Sequence, residues 1–185
     1  MKLGAKIFGV LSGILVVYLL VGLLLPRSWR AEVDSLVPAP PSSVFPLVNR
    51  LSSWASWTPV PETGLEAFGA QMGVGAGVRW DDPRYGAGEV RIVGSEEDRM
   101  VEYEVMVEDG ALIIHGSISL QPEGAGTRVR WIEEGDFGWN PLLGYAARGM
   151  SSSQAETMRR SLRMLSGEVQ TKKPGSTGAG PSRGI

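Results

Sequence analysis

At 185 residues, with an apolar beginning and a low-complexity end that leave about 140 residues between them, the chain has room for one domain with a substantial core. Eighteen Lys and Arg against 20 Asp and Glu leave no basic excess, which argues against a nucleic-acid partner. Cysteine is absent and His115 is the single histidine, so a disulfide framework, a thiolate metal site and a histidine metal cluster are excluded, and no metal or other cofactor is expected.

The first element is IFGVLSGILVVYLLVGLLL, Ile7 to Leu25, 19 residues without a charge. That is close to the ~20 needed for a helix to cross ~30 Å of hydrocarbon. The apolar region of a secretory signal is shorter and ends in a small-x-small cleavage site. Here the run ends in LLLPRSWR, which favours an uncleaved, single-pass membrane anchor over residues 1–26. Lys2 and Lys6 flank one end, Arg27 and Arg30 the other, and the amino group tips the balance toward an extracytoplasmic domain. Gly9 and Gly13 form a GxxxG that would let the helix of a second copy approach closely as a homodimer. The plainer reading is that glycine is common in membrane helices.

After the anchor, RAEVDSLV (30–37) alternates as a strand with Ala31, Val33, Ser35 and Val37 on one side. Following PAPP, the segment SSVFPLVNRL sets Val44, Val48 and Leu51 at helical spacing, with Ser42 or Ser43 as the expected cap and a late start imposed by Pro46. Then come six short strand candidates, 65–70, 76–82, 86–95, 99–108, 111–121 and 126–137, separated by breakers such as DPRYG, SEED, EDG and PEGAG. Tight turns without intervening helices predict an antiparallel meander. The segment GWNPLLGYAARGM (138–150) reads as a Gly-rich connection, either a gate or a plain surface loop. A capping box at Ser153 and Glu156 then opens a helix with Met158, Leu162, Leu165 and Val169 on one face, which should lie across the sheet. Residues 171–185, rich in Gly, Ser and Pro, are expected to be a disordered tail.

The order of these elements resembles the helix-grip fold of the START-like superfamily, also called SRPBCC, and within it the polyketide cyclase/dehydrase-type proteins. VPAPPSSVFPLVNRLSSWASWTPV is similar to that family's opening strand, proline pair, helix and Trp-x-x-Trp segment, and GVGAGVRWDD, GAGEVRIVGSEEDRMVEYEV and GTRVRWIEEGD to its later strands. The resemblance implies an α+β domain over 27–170, an antiparallel sheet wrapped around a long C-terminal helix, with a cavity between them for lipids, polyketides or other apolar molecules. It also implies that Trp54 and Trp57 plug the core where the short helices meet the sheet, with a ligand-wall role as the alternative.

Strand parity selects the concave side: Val78, Trp80, Val90, Ile92, Tyr103, Val105, Val129 and Trp131. Trp57, Met158 and Leu162 complete the expected ligand wall. Glu133 shares that side. If buried, its pKa would rise and suit it to donate a proton or anchor a ligand. The simpler expectation is that the strand twists outward at the cavity mouth and leaves Glu133 in water. His115 falls with Ile113, Ser117 and Ser119 on the opposite, convex side, and no serine stands in a nucleophile-elbow context. Three functions follow as expectations: binding of a small hydrophobic ligand by a membrane-anchored domain, a cyclase or dehydratase using Glu133 and Tyr103 as acid and base, or an interaction module with a filled core.

Overall fold

The computed structural model describes residues 2–138 and 143–171. Helix α1 runs over Lys2–Leu24; its Lys6–Leu24 stretch is exposed almost throughout and has a mean hydropathy of 2.7. It is long and apolar enough to cross a membrane, a composition that membrane spans share with signal sequences. Three residues connect it to β1, Ser28–Val37. Of these, Leu25 is buried and the carbonyl of Arg27 accepts the N–H of Phe137 at 3.1 Å.

Strand β1 alternates as its sequence requires, with Trp29, Ala31, Val33 and Val37 inward. Helix α2 runs over Pro41–Val48 and starts earlier than the serine caps imply. The residue before it, Pro40, sits at φ −65°, and Pro41 takes the first helical position, where a missing N–H costs nothing. Pro46 lies inside the helix and leaves the carbonyl of Ser42 without its helical donor. Both residues are exposed, so that carbonyl is open to water.

Next, Leu51–Ser56 forms a 3₁₀ turn. Its three-residue repeat brings Trp54 and Trp57 to one side, ring centroids 5.5 Å apart. Each indole donates back to the end of α2, Trp54 Nε1 to the Val48 carbonyl at 3.0 Å and Trp57 Nε1 to the Leu47 carbonyl at 3.2 Å. Two carbonyls that the helix terminus leaves unbonded are thus satisfied by the side chains that fill the core beneath it.

Strands β2 (Glu66–Gly69), β3 (Ala76–Asp82), β4 (Gly86–Glu96), β5 (Met100–Val107), β6 (Leu112–Glu123) and β7 (Gly126–Asp136) follow as an antiparallel meander. With β1 returning beside β7, the order across the sheet is β1-β7-β6-β5-β4-β3-β2. A register shift between Ile92 and Gly94 leaves Val93 as a bulge in β4. The outer face of β1 and β7 carries a lattice in which Arg30 joins Glu32 and Glu134, Arg130 joins Glu32, and Arg128 joins Asp34 and Glu123.

Helix α3, Leu143–Thr171, lies against β1, α2 and the 3₁₀ turn and buries Ala155, Met158, Leu162, Leu165 and Val169. It begins ten residues before the capping box. Ser153 is a helical residue whose hydroxyl bonds the Met150 carbonyl at 3.2 Å, so the second half of the expected connection is helix. Residues 139–142 of that connection, and the expected tail beyond Thr171, lie outside the described residues.

Candidate functional site

The sheet register builds the site in rows. One row runs Trp29–Gly135–Ile114–Val105–Val90–Val78–Ala67 across all seven strands. At its far end Ala67, Val78 and Val90 floor an apolar cleft of about 340 Å³. Trp54, Leu51, Ser52 and Ala55 of the 3₁₀ turn wall it, Val60, Pro61 and Leu65 form its rim, and Trp80 closes one side. The volume falls within the range of small-molecule sites.

A single carboxylate holds the rim. Asp82, at the end of β3, accepts the backbone N–H groups of Glu62 at 3.1 Å, Thr63 at 3.2 Å and Arg84 at 2.8 Å, and the Thr63 hydroxyl at 3.0 Å. The bond from the Arg84 N–H, helped by the others, holds its pKa down to about 2 against the opposing effect of burial. Trp80 lies over Gly88, where an added Cβ would come within 2.4 Å of the indole. Its buried Nε1, like that of Trp29, has no acceptor among the described residues.

Behind Trp54 lies the second part of the site. The next row of the sheet is Ala31–Glu133–Gly116–Tyr103–Ile92. The Tyr103 ring stands over Gly116, where a Cβ would meet it at 2.1 Å, so only glycine admits it. The Tyr103 hydroxyl accepts Trp131 Nε1 at 2.7 Å and donates to Glu133 Oε1, while Gln154 Nε2 of α3 donates to Glu133 Oε2. Trp54 meets Tyr103 edge-on with centroids 4.9 Å apart, so one indole touches both the cleft and the buried polar pair.

Glu133 is therefore buried, and the expectation that strand twist leaves it in water is corrected: Tyr103 and Gln154 each satisfy one carboxylate oxygen inside the core. Burial raises its pKa, partly opposed by those two donors. Burial also raises Tyr103 well above the ordinary tyrosine range, reinforced by the charge of Glu133.

Of the expected wall, Val78, Trp80 and Val90 line the cleft. Trp57, Ile92, Tyr103, Val129, Trp131, Met158 and Leu162 are closed to solvent in one continuous core, and Val105 packs partly buried against it. His115 is exposed on the outer face beside Glu104, 3.4 Å away. Among the described residues no group of three or more His, Asp or Glu side chains gathers as a metal site. Sequence reasoning missed Asp82 and Gln154. The first carried a weak signal, since an Asp just before a Pro-Arg turn is well placed to accept backbone N–H groups. The second carried none.

No curated protein matches the chain. Among solved structures it is similar to TTHA0849 from Thermus thermophilus, with 20% identity, a TM-score of 0.59, and 78% of this chain and 99% of that one covered. A Thalictrum norcoclaurine synthase point mutant in complex with a transition-state analogue matches at 10% identity and a TM-score of 0.60, covering 78% and 95%. The Aha1 dimer from Colwellia psychrerythraea matches at 12% and 0.53, covering 78% and 98%. At these identities the likeness is one of fold. Residues 28–170 match the family model described as polyketide cyclase / dehydrase and lipid transport, and with its seven-stranded sheet and long C-terminal helix the chain belongs to that family, of START-like, SRPBCC type.

Proposed function

We propose that this domain binds a small apolar or amphipathic molecule, of lipid or polyketide kind, in the cleft between Trp54 and the β3–β4 floor, and that α1 anchors it in a membrane. The observation that carries the reading is the apolar cleft itself, rimmed by a loop that Asp82 fixes in place. The cleft's floor belongs to the row that begins at Trp29, five residues after α1 ends, and lies at the opposite edge of the sheet from β1. The family's lipid-transport description agrees with an exchange of ligand with the bilayer.

The test is native mass spectrometry of the gently purified full chain, with denaturing extraction of anything bound, followed by titration with Nile red. A copurifying molecule, or dye binding that Val90→Trp abolishes while the fold is retained, supports the reading. A chain that carries nothing and takes up no dye overturns it in favour of an interaction module.

One observation favours a second reading, a cyclase or dehydratase. A buried carboxyl and tyrosine with raised pKa values lie directly behind Trp54 and could protonate or deprotonate a substrate that displaces that indole. Glu133→Gln would then lose turnover with dye binding intact.

A further inference from the structure

The contact between α1 and α3 carries information about the membrane surface. Tyr145, in the first turn of α3, stacks on Tyr18 of α1 with centroids 4.4 Å apart and planes within 2°, and its hydroxyl donates to the Tyr18 carbonyl at 2.7 Å. Tyr18 lies inside the apolar stretch Lys6–Leu24, six positions before its end. At 1.5 Å per residue that is about 9 Å below the end of the span. Nineteen residues only just cross ~30 Å of hydrocarbon, so the helix has no slack with which to lift Tyr18 out of the bilayer. Whatever is bonded to Tyr18 therefore sits at the depth of interfacial helices, about 5–10 Å into the headgroup and acyl boundary.

The sequence of α3 suits that depth. Between Leu143 and Glu156 there is no acidic residue, although the start of a helix normally favours one; Tyr145 to Met150 reads Tyr-Ala-Ala-Arg-Gly-Met, small and apolar residues around one cation of the sign that lipid phosphates attract, before three serines follow. Tyrosine itself concentrates at the boundary between lipid and water. On the same side of α1, Gly22 and Leu25 are buried.

We propose that the first turns of α3, around Tyr145 and Gly149, are embedded in the headgroup and acyl boundary of the bilayer beside α1. The domain is thereby fixed to the membrane at two places, and its orientation over the lipid is set. This rests on the reading of α1 as a membrane span.

The absence of native cysteine makes the test direct. Single-cysteine variants Leu15→Cys, Gly149→Cys and Gly167→Cys of the full chain are labelled with an NBD fluorophore. They are reconstituted in phosphatidylcholine vesicles containing lipids spin-labelled near the headgroup or deep in the chain. Gly149 and Gly167 are exposed positions where a Cβ meets nothing within 4 Å, so both substitutions are tolerated. The expected result is at least two-fold quenching of the Gly149 label by the shallow quencher, deeper quenching at Leu15, and none at Gly167, about 27 Å further along the helix. In a Tyr145→Ala background the Gly149 label should lose its quenching while the Leu15 label keeps it. A Gly149 label as bright as the Gly167 label, with Leu15 quenched, overturns the seating alone. An unquenched Leu15 overturns the membrane span, and the seating with it.

Discussion

Glu133 holds its proton more tightly in the folded chain than its ordinary value near 4.5, because burial dominates its surroundings. Its contribution to stability is complete below that value and is lost as the pH rises through the higher folded-state value. The expected outcome is a melting temperature that falls across this rise in the wild type and stays flat in Glu133→Gln, read by a thermal scan at a series of pH values. Asp82 has the opposite sign. Its pKa is held down to about 2, so its contribution is present above the ordinary value of 3.8 and disappears as the pH falls toward 2. Asp82→Asn should therefore melt below the wild type at neutral pH, converge with it in strong acid, and bind Nile red more weakly because the Glu62–Thr63 rim is released. Tyr103→Phe leaves the Trp131 indole and one oxygen of Glu133 unpaired in the core, a loss of about 1–3 kcal/mol measurable by urea denaturation.

Among the elements, the register of the sheet decides which substitutions are tolerated. Tyr103 lies over Gly116 and fills the space of a side chain there. Gly116→Ala should destabilise by about 1–3 kcal/mol through forced displacement of a ring that has nowhere to move, seen as a lower urea midpoint at unchanged slope. Much of this level was legible in the sequence. The period-2 alternation placed Val78, Val90, Tyr103 and Trp131 on one side, and the breakers marked the hairpins, because both signals are local. The helix starts were less legible. A capping box at Ser153 describes what a helix terminus could use, but contacts of the preceding turns with the rest of the chain carry α3 back to Leu143. The position of Glu133 was half legible. Parity gave its side of the sheet, whereas its burial depends on Gln154, which comes from another element 21 residues away.

For the whole molecule, the direction of α1 relative to the sheet matters most. Gly9 and Gly13 lie on the far side of the helix from Tyr18 at 3.6 residues per turn, and a Cβ at either meets nothing within 4 Å. That face is open to a second copy. If α1 pairs with a second copy through that face, replacing both with leucine should lower energy transfer between donor- and acceptor-labelled chains in vesicles, while a Leu11→Ala control on the opposite side leaves it unchanged. The link from α1 to β1 is Leu25, Pro26 and Arg27, the first buried and the last bonded to Phe137. With α1 in a bilayer as proposed, a tether that short allows no free tumbling, and the domain would reorient only as fast as the helix turns. On the proposed function, transfer of a molecule between membrane and cleft would then be first order: its half-time should not change when the vesicles are diluted, unlike that of a soluble carrier, which must first collide with lipid.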